Sequence, residues 1–342
     1  MRIINANATY LSTAGYTAYE FIELIGRTCY KSQDMIKEGT AVKFAERMAK
    51  SKHYAMLEHY HTFFKIPQIL FKSIMSNLPE HMSLADFEFI NITDNKSDTA
   101  YISGSFRAWI ELNEKVQNTK NKNNLAFYHV FNSINNRLAE KYPELFTYVN
   151  YDNNTSVIMF SDQNAFIADV KALNIPKTDK DDIIRNHATH SIKFICDRGV
   201  THEFVRHRPA SFAQESTRYC NYAQDKFGRE ITFIRPCFWG CDAKIKTDPN
   251  ATAMYNAWQK SCELSEKYYF EMIDAGAIAQ QARDVLSTSV KTELIITATE
   301  KEWQHIINLR YHGITGAPHP QMVEVMTIAY SPLTENTEKR IG

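Results

Sequence analysis

The sequence predicts an α+β fold in which a mixed or antiparallel sheet packs against helices. Short apolar segments that end at proline or at turn residues, as strands do, occur in both halves of the chain. Longer segments between them have the apolar spacing of helices. The two kinds of segment do not alternate regularly, as they would in a doubly wound parallel sheet. With 342 residues, 44% of them hydrophobic, the chain can bury a large core.

The first 66 residues combine both kinds of segment. Residues 2–8 predict a strand, and residues 16–29 and 40–49 predict helices because apolar side chains recur there on one helical face. Residues 60–66 have strand character, and this strand ends at Pro67.

Residues 67–186 differ in composition from the rest of the chain. Runs rich in asparagine, lysine and aspartate at 94–98 and 118–124 separate apolar pieces such as 87–92 and 125–138. The second piece predicts a helix. We therefore interpret 67–186 as an elaboration, without an internal repeat.

The remaining part has a denser pattern of predicted elements. One helix should begin where Asp248, a capping residue, precedes a proline at the first helical position. The predicted strands are 191–196, 230–234 and 290–297, and the predicted helices are 200–208 (ended by Pro209), 249–274, 300–309 and 321–329.

Charge and cysteine content exclude several classes of protein. Lys+Arg and Asp+Glu are equal at 39 each, so no overall field attracts the chain to nucleic acid or to membranes, and neither partner is expected. The sequence contains no apolar run of about 18–20 residues of the kind that spans a membrane. Six scattered cysteines without a signal peptide predict reduced thiols and a cytoplasmic protein.

The densest group of polar residues is 206–219. It contains three arginines, a histidine, hydroxyls, an amide and a carboxylate within fourteen positions. The planar fork of arginine suits phosphates and polar ring edges, so the group predicts a site for a phosphorylated, ring-bearing ligand. A surface charge run paired with Glu203 and Glu215 is the alternative interpretation.

The order of residues in this group resembles a family signature. Arg206-His207-Arg208, seven residues and then Ser216 resemble the motif of the flavin-dependent thymidylate synthases, and Thr217-Arg218-Tyr219 continues it. Further similar segments are 27–32, 53–59, 196–203, 282–286 and 308–310. The similarity covers roughly residues 1–66 and 187–330. It implies a single domain over 1–342 of that family's α+β fold, in which 67–186 is an insertion that compact members lack.

The resemblance implies an activity and its cofactors. The family converts dUMP to dTMP with FAD, takes the carbon from methylenetetrahydrofolate and uses NADPH to reduce the flavin. Because no side chain supplies hydride, the protein would mainly bind, orient and polarise these molecules. The family forms homotetramers whose active sites lie at subunit contacts.

The resemblance also implies roles for particular residues. Arg310 would be the catalytic residue, lying against the uracil and favouring ionisation at N3, since a guanidinium in a partly dry site stabilises negative charge strongly. The implied dUMP contacts are Glu203, Arg206, Gln214, Glu215, Ser216, Thr217, Arg218, Arg283 and Arg310. The implied flavin contacts are Cys29, His53, Glu58, Arg206, His207, Arg208, Thr299, Lys301 and His305.

Several positions depart from the commoner family pattern. Gln214 stands where many members have glutamate, and Ala55 replaces a hydroxyl residue. Thr299 and Lys301 stand where some members have asparagine and arginine, and Ser287 replaces a proline. These departures concern individual contacts and leave the core motif intact.

The sequence also contains residues of a possible metal site, a possible serine nucleophile and a possible cysteine ligand pair. A metal at His53, His59 and His61 with Glu58 would need three or four converging ligands, so no metal is predicted. Ser216 lacks an adjacent base in the sequence and is interpreted as a hydrogen-bonding residue rather than a nucleophile. The pair Cys237 and Cys241 lacks a second ligand pair.

Two other functions remain as hypotheses. A nucleotide- or RNA-binding protein without chemistry would explain the arginines, but not the separate Arg283 and Arg310 segments. A metal-dependent hydrolase would use the histidines of 53–61.

Overall fold

The computed structural model describes residues 1–76, 90–94, 98–118, 125–149, 156–240 and 242–341, and within them the chain forms an α+β fold. The predicted combination of largely antiparallel sheets and packed helices is confirmed. The strands are β1 (Arg2–Ile4), β2 (Asn7–Leu11), β3 (His61–Pro67), β4 (Ile90–Asp94), β5 (Thr99–Ser105), β6 (Ile158–Met159), β7 (Thr189–Asp197), β8 (Ser211–Gln214), β9 (Thr232–Ile234) and β10 (Lys291–Thr299). The helices are α1 (Ala18–Tyr30), α2 (Thr40–Lys50), α3 (Gln68–Ser76), α4 (Phe106–Gln117), α5 (Leu125–Lys141), α6 (Gln163–Ala172), α7 (Lys177–His187), α8 (Arg198–Phe204), α9 (Asp242–Thr247), α10 (Pro249–Asp274), α11 (Ala279–Ala282), α12 (Glu300–Arg310) and α13 (Pro320–Ile341).

A four-stranded antiparallel sheet with the order β2-β7-β10-β8 carries the C-terminal half of the fold. Successive side chains of a strand point to opposite faces. On β10, Leu294 and Ile296 therefore join one core with Trp303 of α12, whereas Ile295 joins another core with Phe21 of α1. Because helices cover both faces, β10 is buried along almost its whole length, and its apolar centre Leu294–Ile296 is flanked by buried polar residues such as Glu293 and Thr297.

The described part of residues 67–186 packs with the N-terminal region. Strand β5 pairs with β3 over seven residues, from His61 opposite Ser105 to Pro67 opposite Thr99, in a second sheet with the order β4-β5-β3-β6. Phe64, Ile102 and Trp109 belong to the same buried cluster as residues of α1. A single domain and an insertion at 67–186 remain predictions. Parts of the predicted segments 87–92, 94–98 and 118–124 lie outside the described residues, as does Cys241.

Two predicted elements at the N-terminus and around Pro209 were wrong in extent. The predicted strand 2–8 is two strands, because β1 pairs with β9 whereas β2 pairs with β7 of a different sheet. The predicted helix 200–208 is α8, which ends at Phe204. The carbonyl oxygen of Glu203 accepts a hydrogen bond from the Arg310 side chain at 3.0 Å, which occupies an acceptor near the end of the helix.

Other predictions agree closely with the observed elements. Helix α2 lies within one residue of the predicted 40–49, and α10 begins at Pro249 with Asp248 as its N-cap. The predicted C-terminal helix 321–329 extends to Ile341 and contains Pro332. No helix of the described part has both the length and the apolar composition that crossing a membrane requires.

Candidate active site

The two halves of the arginine-rich segment lie at opposite ends of β8. Arg206, His207 and Arg208 precede this strand, and Gln214 is its last residue. Strand β8 is an edge strand that pairs with β10, from Ser211 opposite Thr297 to Gln214 opposite Leu294. Since α12 follows β10 directly, this pairing brings the start of β8 near the N-terminus of α12.

Arg310, at the end of α12, is held by the arginine segment. Its two terminal nitrogens donate to Glu203, one to the carboxylate at 2.8 Å and one to the backbone carbonyl at 3.0 Å. Its Nε donates to Nε2 of His207 at 3.1 Å. The Arg310 side chain remains 21% exposed and that of Glu203 28%, so a ligand could reach this pair. The structure thus brings Arg310 together with two predicted site residues, Glu203 and His207, that lie more than one hundred positions earlier in the sequence.

The contact with Arg310 determines the tautomer of His207. An arginine can only donate, so Nε2 of His207 is the acceptor and carries no proton. The ring proton then lies on Nδ1, which is 3.5 Å from the Glu302 carboxylate. His305, one turn beyond Glu302, places its ring 5.7 Å from that of His207. His207 thereby links Arg310 to α12.

His207, Glu302 and His305 offer ligand atoms within 4.8 Å of one another, so the described residues do contain a group that could hold a cation. The histidines of 53–61 do not form such a group among the described residues. Burial lowers the pKa of His59 to about 3 and that of His61 to about 4, so both rings are neutral. His53 lies apart from them, with its Nδ1 3.3 Å from the hydroxyl of Tyr30.

A pocket of about 730 Å³ adjoins the start of β8. The residues that line it come from four parts of the chain: Glu58, His61, Asn91, Ser105, Arg107, Ala108, Glu111, Pro209, Ala210, Ser211, Thr297, Ala298 and Thr299. Two predicted flavin contacts, Glu58 and Thr299, are therefore in one pocket with the segment that follows Arg208. The hydroxyl of Ser211 also donates to the backbone carbonyl of Glu58 at 3.3 Å.

Glu58 carries the main buried charge of this pocket. Burial raises the pKa of its carboxyl, and the Arg107 guanidinium, which donates to it, lowers the pKa. Thr299 caps α12, because its hydroxyl accepts from the backbone N–H of Glu302 at 3.2 Å. Its hydroxyl oxygen is thus already used within the fold.

Three arginines of the segment are exposed. The side chains of Arg206 and Arg208 make no hydrogen bond or ion pair with other described residues, and the two arginines flank His207 in the loop before Pro209. Arg218 lies over the ring of Tyr219 at 5.6 Å. These guanidiniums are available to an anionic ligand or to another protein chain.

The turn 216–220 is tied to the end of α1. The backbone N–H of Ser216 donates to the carbonyl of Cys29 at 3.1 Å, and its hydroxyl accepts from the N–H of Arg218 at 3.3 Å. Tyr219 packs edge-on against Tyr30 at 5.6 Å. Within the described chain no carboxylate or imidazole contacts the Ser216 hydroxyl. The contacts therefore favour a hydrogen-bonding role over that of a nucleophile.

Some predicted ligand contacts have side chains that the fold already holds. Glu215 is only 2% exposed; it accepts from Lys291 at 2.8 Å and from Tyr222 at 3.1 Å. Lys291 also donates to Glu293 at 2.8 Å, and Glu293 accepts from Lys31 as well. Burial raises the pKa of the Cys29 thiol to about 12, so this thiol is protonated.

Gln214 also points into the protein rather than towards the exposed arginines. Its amide donates to the hydroxyls of Thr201 and Thr292, at 3.0 and 3.3 Å. Thr217 is buried in the turn that follows.

Two predicted contacts are not bonded, within the described chain, to the group formed by Arg310, Glu203 and His207 (the Arg310 group). Arg283 is 39% exposed, and its ion-pair partner is Asp284 at 3.9 Å. Lys301 is exposed and donates to Asn186 at 3.1 Å. Neither forms a hydrogen bond or ion pair with residues of the 206–219 segment. Their assignments, like those of the other site residues, remain predictions.

Sequence reasoning missed Arg107, Lys291 and Glu302, which contact predicted site residues directly. Lys291 and Glu293 are two apart on a strand and so share a face, a signal that the sequence does contain. Glu302 and His305 are three apart on a helix and also share a face. Nothing in the sequence near Arg107 connects it with Glu58.

Comparison with known proteins supports the resemblance. Residues 168–327 match the family model described as thymidylate synthase complementing protein. The flavin-dependent thymidylate synthase of Pyrococcus furiosus is 35% identical over 128 residues, which are 37% of this chain and 48% of that protein. The Pyrococcus abyssi enzyme of the same name is 32% identical over 128 residues with the same coverage. The chain thus spans about half the length of the curated relatives it matches.

Solved structures also align with the chain. A UMP/dUMP methylase, PolB, from Streptomyces cacaoi bound with 5-Br UMP is 20% identical and covers 45% of this chain and 75% of its own, with a TM-score of 0.35. The same methylase bound with 5-Br dUMP is 18% identical and covers 51% and 87%, with a TM-score of 0.37.

The matched region contains part of the predicted site. It contains the arginine segment, Arg283 and Arg310, whereas Cys29, His53 and Glu58 lie outside it. The resemblance to the flavin-dependent thymidylate synthases that the sequence predicted is confirmed by the family-model match over residues 168–327 and by these curated relatives.

Proposed function

We propose that this protein is an FAD-dependent thymidylate synthase that converts dUMP to dTMP, with methylenetetrahydrofolate as carbon donor and NADPH as reductant. The observation that carries the proposal is the position of Arg310. It is held by Glu203 and His207 within the arginine segment itself, yet remains partly exposed. A generic basic surface would not require a distant arginine with three internal contacts at this place.

The residues fit a flavin in their chemistry. Beside the pocket stand two exposed guanidiniums, Arg206 and Arg208, which suit the negatively charged pyrophosphate of FAD. Inside it, Glu58 offers an acceptor for ring or exocyclic N–H groups. A bound flavin would supply the hydride that no side chain can provide.

The chain's own groups would polarise and orient the nucleotide. The Arg310 guanidinium would stabilise negative charge that develops on the uracil, and the partial burial of the site would make this interaction stronger than in water. Glu203 and His207 restrain two sides of that guanidinium, so its orientation is set before a ligand binds. Such preorganisation avoids the cost of ordering a flexible arginine during the reaction.

We further propose that the active unit is a homotetramer. Arg218 is exposed and the Arg283 side chain is 39% exposed, and neither is bonded to the Arg310 group in the described chain, as expected of residues that complete a site on a neighbouring subunit. The predicted cytoplasmic location belongs to the same proposal.

Purified protein can test the function directly. We expect a visible flavin spectrum, a change in this spectrum on addition of dUMP, and NADPH oxidation and dTMP formation that require dUMP and methylenetetrahydrofolate. Failure to bind FAD even after supplementation would exclude the proposal. Binding of RNA without any flavin would favour the nucleic-acid hypothesis.

A further inference from the structure

We propose that the middle segment 67–186 supplies a positioning residue to the cofactor pocket: Arg107, which holds Glu58 in its ligand-binding orientation. This inference rests on the proposed flavin function and adds a contribution from the part of the chain that compact family members lack. Five of the thirteen residues that line the pocket come from this segment, namely Asn91, Ser105, Arg107, Ala108 and Glu111.

The sheet brings this segment to the pocket. The seven-residue pairing of β3 with β5 places the start of α4 directly beside the 3₁₀ helix Tyr54–His59, which carries Glu58. The backbone N–H of Phe106 donates to the carbonyl of Tyr60 at 3.2 Å, and the Ser105 hydroxyl caps α4. Arg107 is therefore fixed opposite Glu58 by backbone contacts on both sides.

Local preferences do not explain an arginine at this position. Arg107 stands in the first turn of α4, where the helix dipole favours an anion and disfavours a cation. Its compensation comes from two carboxylates. One terminal nitrogen donates to Glu58, and Nε donates to Glu111 at 2.8 Å. An arginine that is unfavourable for the helix dipole but pairs with a carboxylate of the pocket indicates that its role lies in the pocket.

The charges in the pocket show what Arg107 does. The titratable groups that share it with Glu58 are Arg107 and Glu111 from α4 and His61 from β3. His61 is neutral because burial lowers its pKa to about 4, and Glu111 repels a charge on Glu58. Arg107 is thus the cation among these lining residues that counters the effect of burial on Glu58, whose pKa nevertheless stays above its ordinary value. An ionised, fixed carboxylate is a strong acceptor for the N–H groups of a planar ring.

Arg107 also retains donor capacity towards the ligand. Its second terminal nitrogen makes no hydrogen bond to the described residues, and its side chain is 40% exposed. The guanidinium can therefore bridge Glu58 and an acceptor atom of the bound cofactor.

The test compares FAD binding by wild type and Arg107→Gln, measured by fluorescence titration across a pH series. We expect the dissociation constant of the variant to rise about tenfold or more, because a partly buried carboxylate loses its charged partner. Loss of Arg107 removes the main contact that lowers the pKa of Glu58, so that burial raises this pKa further against the Ser211 hydrogen bond alone. Protonation then removes the acceptor at a higher pH, so the variant should lose affinity at a higher pH than wild type as the pH falls.

Two variants separate positioning from folding. Arg137→Gln in the same segment is the matched control, because Arg137 pairs with Glu140 at 3.2 Å with both side chains about half exposed; its FAD affinity should equal that of wild type. Arg107→Lys keeps the charge but loses the planar fork, so it should bind FAD more weakly than wild type with the wild-type pH profile. Should Arg107→Gln fail to fold, this lysine variant decides the question.

The outcomes distinguish the two proposals. Wild type that binds FAD together with Arg107 variants of unchanged affinity and pH profile would overturn the positioning role and leave the proposed function intact. Wild type that does not bind FAD would overturn both.

Discussion

The Arg310 group and the group formed by Lys291, Glu215 and Glu293 (the Lys291 group) are two sets of paired charges in one protein, and they differ in access to solvent. Arg310 and Glu203 are 21% and 28% exposed, whereas Lys291, Glu215 and Glu293 are 13%, 2% and 9% exposed. A ligand can replace water at the first group, but the second has all its partners inside the fold. A charged residue in a family motif can therefore be a structural element, as the contacts of Glu215 indicate.

The largest expected effect is on the buried group. Lys291→Met should lower the free energy of unfolding by about 3–5 kcal/mol, because it leaves Glu215 and Glu293 buried with a lost partner. Urea unfolding followed by circular dichroism measures this change. Lys267→Met is the control, since Lys267 pairs with Glu271 at 3.7 Å on an exposed helix face. A Lys291 variant as stable as the control would remove the distinction between the two groups.

A substitution in the Arg310 group should reduce activity and leave the stability of the protein nearly unchanged. Arg310→Ala should reduce dTMP formation by about 10²–10³-fold, because it removes a preorganised donor to the developing negative charge. Flavin binding should persist, and unfolding should change by no more than about 1 kcal/mol.

The control for Arg310 is Arg229→Ala, which removes an exposed arginine paired with Asp274. Steady-state dTMP formation and urea unfolding of both variants make the comparison. Full activity of Arg310→Ala would contradict the catalytic role, and unfolding of this variant would show that the group is structural after all.

Lowering the pH should show how much the buried Lys291 group contributes to the stability of the wild-type protein. Burial raises the pKa of Glu293, but Lys291 and Lys31 outweigh this and hold it at about 2, below its ordinary 4.5. The stabilisation is present above pH 4.5 and is lost as the pH falls towards 2, since the unfolded chain takes up the proton first. We expect Glu293→Gln to lose less stability than wild type between pH 5 and about 2.5 in urea titrations. Parallel acid dependence of the two proteins would contradict the assignment.

The smallest effect should come from Gln214→Glu, at the boundary of the two groups. The amide donates to two threonine hydroxyls. The hydroxyl of Thr292 can rotate to donate to a carboxylate instead, whereas that of Thr201 already donates to the carbonyl of Arg198 at 2.9 Å. Unfolding should therefore change by less than about 1 kcal/mol. A larger loss would mean that the glutamine is required by its surroundings and would place it with the structural group.

The sequence predicted the elements whose signals are local. The cap at Asp248 located the start of α10, and apolar spacing located α2 within one residue. It did not predict β8, because four residues between two polar runs have no distinct pattern and become a strand only by pairing with β10. Nor did it predict the contact at the end of α8, where the carbonyl of Glu203 accepts from Arg310, a residue more than one hundred positions away.

In the candidate site, too, the sequence did not predict the features that depend on contacts between distant residues. Motif order indicated Arg206, His207 and Arg310, which the fold does bring into one region. Motif order could not indicate that Glu215 is enclosed by Lys291, because burial is a property of the packed chain. Nor could it indicate Arg107, whose contact with Glu58 depends on the register of β3 and β5.

The pairing of the first strands has a consequence for the order of folding. Strands β1 and β2 pair with β9 and β7, so residues 2–11 find their partners only after position 189. These contacts close long loops, and the entropy of closure must be met before the sheet gains stability. We therefore expect the N-terminal strands to remain unpaired during synthesis until the C-terminal half emerges, and the protein to refold slowly for its size.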